Sequence, residues 1–381
     1  MTTAARTEFA RDAVAYRHAF RHYLRDLDVA EQWRSAHFAS AESLFEHDAD
    51  RMHRLYTDGW NRFGWPEWAG GFGGTREHRM AYFDELTHAR LPQPLQHRSL
   101  ERFLPALIEH APDLAASYLP RHLRGNEWWS TNAASWPKYA ASTASDDGEL
   151  LLRGARTWKD VGPDPTQLMV LARTDQPAHN AAATMFLVQA GADGCLIRRC
   201  PAAGNRSDIV EITIDDLQTS GSRVIGEAGA GVVVAQQIAD GPRGLRCYAE
   251  HSRLLFDLGL LREAMAVHGS SQGQRQRFAQ VYVDVLSAQA LSCATIRAEA
   301  QGHCDDGVER VLLRKVRLRV SDLILDVGRT RIIRGTNTGG DSLASARAEW
   351  WYARAADAVH TPPCRRDVLL DDHEAAKVTV S

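Results

Sequence analysis

The chain has 381 residues, of which 44% are hydrophobic and 24% charged, and its formal net charge is −3. This composition is typical of a globular protein large enough to form two or three domains. The small net charge, and the mixing of both signs along the chain, argue against nucleic acid and anionic membrane surfaces as partners.

Apolar side chains recur at helical spacing in residues 5–27 and 41–63, which predicts one amphipathic helix over 5–27 and a second helix over 41–63. Residues 64–74 contain five glycines and Pro66, so we predict a loop there. A further helical pattern over residues 100–123 completes a helical N-terminal region. The sequence therefore predicts an all-helical domain over residues 1–124.

Thr75 follows the glycine-rich loop and is predicted to cap the next helix, which we expect to run to about Arg90. Asp84 and Glu85 lie within that helix. Adjacent charges on a helix usually face solvent, and we predict a solvated face for these two carboxylates.

The middle of the chain changes to a strand pattern. Residues 168–173 and 184–189 are short apolar runs, and residues 209–215 alternate apolar and polar side chains. We predict a small β domain over residues 125–230. Trp158 precedes the first of these runs, where its ring can be either a core residue or the wall of a flat cofactor site.

Helical spacing returns in residues 231–268, 275–302 and 306–334, which together predict an antiparallel bundle over residues 231–381. No run of about 20 apolar residues is present, and residues 1–20 mix charges of both signs, so we expect neither a transmembrane helix nor a signal peptide. The six cysteines form no CxxC pair, which indicates a reduced, cytoplasmic protein with no metal site.

Several motifs in the β region resemble those of the acyl-CoA dehydrogenase family. They are LRGARTW (residues 152–158), LARTD (171–175), and IDDL (214–217) followed by VIGEAGAG (224–231). Their order and spacing match the family's middle domain, and the resemblance extends over nearly the whole chain. It implies a mainly α fold with a central β domain: a helical N-domain, a β-barrel middle domain and a C-terminal four-helix bundle.

The resemblance also implies a flavoprotein that binds FAD and an acyl-CoA-type substrate. In the family's pattern, the hydroxyls of Ser130 and Thr131 would meet the flavin and Trp158 would lie beside its ring. Arg275 and Gln276 match residues that contact a flavin across a dimer interface, although the start of a helix is also commonly a solvated surface.

Two departures from the family's pattern concern the flavin. Residues 136–138 (Trp-Pro-Lys) stand where relatives have Gly-Ser-Asp, and a tryptophan there would block a close approach of backbone to pyrophosphate. Gly339 and Gly340 match the glycine pair of a second motif, without its Gln, third Gly and Tyr. The implied FAD site is therefore weak, shared with another chain, or lost.

A third departure concerns the catalytic base. Relatives carry a Glu that removes the substrate's α-proton, whereas this chain has Pro363 or Cys364 at that place. Some relatives carry the Glu earlier, just before an Arg. The corresponding stretch is residues 238–243, where Asp240 is the nearest carboxylate, although an Asp beside Gly-Pro is commonly a cap or turn residue.

Three hypotheses follow from the resemblance. The chain is a subunit for α,β-dehydrogenation of an acyl-CoA thioester, and a related subunit supplies the base, as in actinobacterial steroid-type hetero-oligomers. Alternatively, it is a flavin-dependent tailoring oxidase or hydroxylase on the same fold, or a structural subunit without catalysis. The resemblance implies an oligomer, either with a related subunit or with itself.

Overall fold

The computed structural model describes residues 1–35, 41–132, 149–152, 156–173, 183–200, 209–240 and 243–301, and most of 312–327. Four predictions lie outside the described residues: those on 136–138, on Gly339 and Gly340, on Pro363 or Cys364, and on the chain's last helices beyond residue 327.

Helices form both ends of the described chain. They are α1 (Thr3–Arg11), α2 (Ala13–Asp26), α3 (Ala30–Ser35), α4 (Ala41–Asp58), α5 (Arg76–His88), α6 (His97–His110), α7 (Pro112–Leu123), α8 (Gly231–Asp240), α9 (Arg243–His268) and α10 (Gln272–Ala300), followed by a helical segment within 312–327.

Strands occupy the middle. They are β1 (Trp129–Thr131), β2 (Glu149–Leu152), β3 (Arg156–Val161), β4 (Gln167–Arg173), β5 (Ala183–Gln189), β6 (Cys195–Cys200), β7 (Ile209–Ile214), β8 (Leu217–Ser220) and β9 (Val224–Ile225). They form sheets of order β1-β4-β5-β9, β2-β8 and β3-β7-β6. All pairs are antiparallel except β1 with β4. The mainly α fold with a central β region is therefore confirmed.

The four-stranded sheet is buried on both faces, which explains its unbroken apolar runs. Along β4, Leu168 and Val170 face a core shared with the other two sheets. Their neighbours Met169 and Leu171 face a second core, formed with α6, α7 and α8. The predicted strands at 168–173, 184–189 and 209–215 are confirmed to within a residue.

The prediction of one helix over residues 5–27 is wrong, because Asp12 interrupts it. Asp12 has an extended backbone, and its carboxylate accepts the N–H groups of Val14 and Ala15 at 2.8 and 3.1 Å. A side chain that satisfies the first free N–H groups of a helix starts a new one. In the C-terminal half, the predicted helix over 231–268 likewise contains two helices, α8 and α9.

The predicted cap at Thr75 is confirmed. Its hydroxyl accepts the N–H of Glu77 at 3.3 Å, and the ring of His78 accepts the N–H of Thr75 at 2.9 Å. Together they form a reciprocal capping box in which histidine takes the place usually held by Glu or Gln. Helix α5 ends at His88, two residues before the predicted end.

The prediction that Asp84 and Glu85 face solvent is wrong. The Glu85 side chain is fully buried and accepts two hydrogen bonds from Arg21 at 2.7 and 2.8 Å. Asp84 accepts from Arg17 at 2.9 Å and from the Tyr248 hydroxyl at 2.7 Å. The carboxylates can be buried because arginines on α2 neutralise their charge, so this cluster joins α2, α5 and α9.

In the described part of the chain, no helix has both the length and the apolar character that crossing a bilayer requires.

Two buried histidines predict a pH-dependent stability. Burial lowers the pKa of His97 to about 3 and that of His251 to about 4, whereas an unfolded histidine titrates near pH 6.5. The stability that these two histidines contribute is fully present above about pH 6.5 and decreases as the pH falls. It decreases because the unfolded chain binds protons at a higher pH than the folded protein does. At pH 5, about 1.5 pH units below the unfolded pKa, each costs about 2 kcal/mol.

We therefore expect the free energy of unfolding to fall less between pH 7 and pH 5 in His97→Gln than in the parent, by about 2 kcal/mol. Urea denaturation at the two pH values measures this difference. Exposed His53 is the control, and His53→Gln is expected to leave it unchanged. An equal pH dependence in the parent and His97→Gln would contradict the assignment.

Candidate functional site

Trp158 lies inside β3, and the structure places it against Ser130 of β1. The indole Nε1 donates a hydrogen bond to the Ser130 hydroxyl at 3.1 Å. The Trp158 ring is 6% exposed and belongs to the core between the sheets, with Val210 and Ile212 of β7 among its members. This burial favours the core interpretation of Trp158 over that of a cofactor wall.

The residues that follow Ser130 bond to β4 through their side chains. The Thr131 hydroxyl donates to the carbonyl of Met169 at 2.7 Å. Asn132 accepts the N–H of Leu171 at 2.8 Å and donates to the Leu171 carbonyl at 3.1 Å. Asn132 thus continues the pairing of β1 with β4 where the backbone ladder ends, because its amide supplies both a donor and an acceptor.

Arg275 and Gln276 lie near the start of α10, and both are exposed. Arg275 donates to the backbone carbonyl of Ser270 at 2.5 Å, which places its guanidinium back over the α9–α10 connection. Their contact with a flavin across a subunit interface stays a prediction.

Asp240 is the last residue of α8, beside the junction with α9. Its neighbour Ile238 is buried, and the Ile238 carbonyl accepts a hydrogen bond from Arg246 at 3.2 Å. Asp240 as a catalytic base stays a prediction.

A charged cluster on α9 was not predicted from the sequence. Arg246, Glu250, Arg253 and Asp257 recur at helical spacing on this helix. Glu250 accepts from Arg253 at 2.7 Å, and the two side chains are 16% and 13% exposed. Burial tends to raise the pKa of Glu250, but the charges of nearby arginines outweigh it, and the pKa is lowered. The arginine spacing in the sequence was the signal that could have revealed this face.

A cavity of about 560 Å³ lies between α2, α3 and α5. Three arginines at its edge are each paired with a carboxylate: Arg21 with Glu85, Arg34 with Glu31, and Arg90 with Glu263 of α9. Because each of these three arginines is paired with a carboxylate, none of the three adds a net positive charge to the cavity wall. Its lining consists of Arg21, Leu24, Arg25, Arg34, Glu85, His88, Ala89 and Arg90.

Comparison with known proteins relates this geometry to a family. No family model matches the chain. Among curated proteins, acyl-CoA dehydrogenase IpdE1 from Mycolicibacterium smegmatis is 25% identical over 307 residues, covering 74% of this chain and 78% of that protein. IpdE1 from Mycobacterium tuberculosis is 26% identical over 294 residues, covering 74% and 76%.

Solved structures show the same architecture. The Tcur3481-Tcur3483 steroid ACAD superposes with a TM-score of 0.66 at 17% identity, covering 100% of this chain and 99% of the other. Glutaryl-coenzyme A dehydrogenase in complex with glutaryl-CoA superposes with a TM-score of 0.67 at 15% identity, covering 95% of each chain. The chain is therefore similar to acyl-CoA dehydrogenases in sequence over about three quarters of its length, and it shares their fold.

Acyl-CoA dehydrogenases of this family are FAD-dependent. In this chain, the described residues that match the flavin site are engaged in hydrogen bonds within the protein. Ser130 accepts from Trp158, Thr131 donates to a β4 carbonyl, and the Asn132 amide is bonded to the β4 backbone at both ends. A flavin bound by this acyl-CoA dehydrogenase relative would therefore need donors from residues outside the described part or from a second chain.

Proposed function

We propose that this chain is a subunit for α,β-dehydrogenation of an acyl-CoA thioester, and that a related subunit supplies the catalytic base. The observation that carries the proposal is the inward bonding of Ser130, Thr131 and Trp158, which leaves these groups poorly suited to form a flavin site alone. The sequence adds Pro363 or Cys364 in place of the expected Glu.

α,β-Dehydrogenation requires the catalytic base that is replaced in this chain. An α-proton next to a thioester is weakly acidic, so its removal needs a positioned base and hydrogen-bond donors to the thioester oxygen. Proline has no basic side chain, and a cysteine acts as a base only as a thiolate, which requires a strongly lowered pKa. A partner with the usual carboxylate would complete the site.

The proposal extends to the cofactor, the partner and the compartment. The FAD site is weak in the isolated chain or shared with the partner, and the assembly is a cytoplasmic hetero-oligomer rather than a homo-oligomer. The similarity to a steroid ACAD supports an acyl group from steroid or other lipid breakdown as the substrate class.

A second candidate is a structural subunit that has lost the flavin, and the burial of Trp158 favours it. An absorbance spectrum of the co-purified complex, followed by flavin quantitation per chain, separates the two. The first proposal predicts flavin in the complex and little in the isolated chain. One tightly bound FAD per isolated chain would contradict the first proposal. If the isolated partner binds as much flavin as it does in the complex, the structural role of this chain is favoured.

The variant Trp158→Phe tests whether Trp158 is a core residue or contacts the flavin. Because the indole is a core residue with one hydrogen bond, we expect the free energy of unfolding to fall by about 1–3 kcal/mol. We expect the flavin content of the complex to stay within twofold of the parent, as in the core control Ile212→Val. Selective flavin loss in Trp158→Phe alone would show that the ring contacts the cofactor.

A further inference from the structure

Three arginines lie over two aromatic rings in the helical N-terminal region. Arg6 of α1 and Arg62, which follows α4, have their guanidinium carbons 4.8 and 3.8 Å from the centre of the Phe72 ring. Arg62 also lies 4.8 Å from the centre of the Tyr56 ring, and Arg124, which follows α7, lies 4.6 Å from it. Since each pair of arginines shares a ring, their guanidinium carbons are separated by at most the sum of these distances, about 9 Å.

These three guanidinium groups have no carboxylate partner. In the described part of the chain, none of them forms an ion pair. Arg62 donates two hydrogen bonds to the Gly70 carbonyl, at 3.1 and 2.9 Å, and Arg124 donates one to the Tyr56 hydroxyl at 3.3 Å. Three positive charges from separate segments of the chain therefore lie together without a neutralising ion pair.

The electrostatics of Arg62 agree with this count. Burial lowers the pKa of Arg62, and the charges of Arg6 and Arg124 lower it as well, whereas Tyr56 acts in the opposite direction. A cation that is partly removed from water beside two like charges is stabilised by an anion placed among them. Glu67 of the same loop does not supply that charge, because its carboxylate lies against Gly73 and forms no ion pair with the three arginines.

The cluster is open to solvent and has N–H groups to spare. Arg6 is exposed, and Arg62 and Arg124 are half-buried. A guanidinium carries five N–H donors, of which Arg62 uses two and Arg124 uses one. The rings and these hydrogen bonds hold Arg62 and Arg124 in place, which reduces the entropy that a ligand must offset to order them.

A phosphate group matches this arrangement better than a carboxylate does. A phosphate monoester carries between one and two negative charges near neutral pH and offers three acceptor oxygens, whereas a carboxylate carries one charge and two oxygens. Arginine forks pair with phosphate through parallel hydrogen bonds. Three guanidinium groups on one anion therefore require the charge and the oxygens that a phosphate supplies.

We infer that Arg6, Arg62 and Arg124 form a binding site for a phosphate group. The inference goes beyond the proposed function, because none of the three is a residue that the resemblance matches to the flavin or to the catalytic base. Bound phosphate neutralises the cluster and ties α1 to the segments that follow α4 and α7.

Isothermal titration calorimetry on the full-length protein, purified without phosphate and held at constant ionic strength with sodium chloride, tests the inference. The probes are inorganic phosphate and adenosine 5′-monophosphate. We expect at least one of them to bind one site per chain with a dissociation constant of about 1 mM or lower. Stronger binding of inorganic phosphate assigns the site to the free ion, and stronger binding of the nucleotide assigns it to a phosphate ester.

Two variants locate the binding at the cluster. Arg6→Gln and Arg124→Gln should each weaken it about threefold to tenfold, and the double variant about tenfold to a hundredfold, as expected for the loss of one or two hydrogen bonds to a charged group. Both variants keep the hydrogen bonds of Arg62 to the loop. The control is Arg11→Gln, which removes an exposed arginine of the same helix whose charge is not among those that act on Arg62.

Three results would overturn the inference. The first is the absence of binding by the parent at about 10 mM of either probe. The second is an unchanged affinity in both Arg6→Gln and Arg124→Gln. The third is an equal loss of affinity in Arg11→Gln, which would show a general charge effect rather than a site. None of these results bears on the proposed dehydrogenase subunit, which is tested by flavin content and turnover.

Discussion

Purified alone, the chain is expected to dehydrogenate acyl-CoA thioesters about 10²–10⁴-fold more slowly than its complex with a subunit that carries the usual Glu. This factor is the contribution that a positioned general base makes to proton removal. Steady-state rates with an artificial electron acceptor, with added FAD and normalised to bound flavin, measure the difference between the isolated chain and the complex.

Three variants sharpen this prediction. Replacing either of the residues matched to the Glu position, as Pro363→Glu or Cys364→Glu, should raise the turnover of the isolated chain if flavin binds. Asp240→Asn should change nothing in the complex. Robust turnover by the isolated parent chain would contradict the prediction, and the loss of that turnover in Asp240→Asn would assign the base to the end of α8.

The second large effect concerns stability, at the ion pair between Arg79 of α5 and Glu101 of α6. Both residues are buried, and the guanidinium also lies 3.7 Å from the centre of the Trp65 ring. Arg79→Met leaves a buried carboxylate without its counter-ion. We expect a loss of about 3–5 kcal/mol in the free energy of unfolding, measured by urea denaturation.

A double variant separates the charge effect from lost packing. Arg79→Met with Glu101→Leu removes both charges, so much of the stability should return. The control is Arg198, an exposed arginine paired with the partly buried Glu211, and Arg198→Met should change stability by less than about 1 kcal/mol. A loss in Arg79→Met no greater than in this control would show that the buried pair contributes little.

Local signals in the sequence predicted the elements well. The apolar runs of β4 and β5 and the cap at Thr75 depend on neighbouring residues, which a sequence shows directly. The interruption at Asp12 was also local, because an Asp ahead of a helical pattern is a strong cap signal. That signal was outweighed by continuous helical spacing on both sides of it.

Non-local pairing accounts for the errors. Asp84 and Glu85 look like a solvated face in the sequence, and only the packing of α2 against α5 brings Arg17 and Arg21 to them. The arginines around Glu250 likewise come from three separate elements. Sequence spacing reveals one face of α9, whereas the contribution of Arg317 depends on the packing of its helical segment.

The sequence predicts which residues belong to the candidate site, but it does not predict what their side chains bind. The sequence identified Ser130, Thr131 and Trp158 through a family resemblance, and the structure places Ser130 and Trp158 in direct contact. Whether a hydroxyl faces a ligand or the protein depends on hydrogen-bond partners, and those of Thr131 and Asn132 lie on β4, about forty residues away.

Native mass spectrometry after co-expression with a related acyl-CoA dehydrogenase subunit that carries the Glu tests the central claim most directly. The account predicts a stable hetero-oligomer with equal numbers of the two chains, and flavin that is retained in the complex and depleted in the isolated chain. A monomer or homo-oligomer of this chain that ignores such partners and retains one FAD per chain would contradict it.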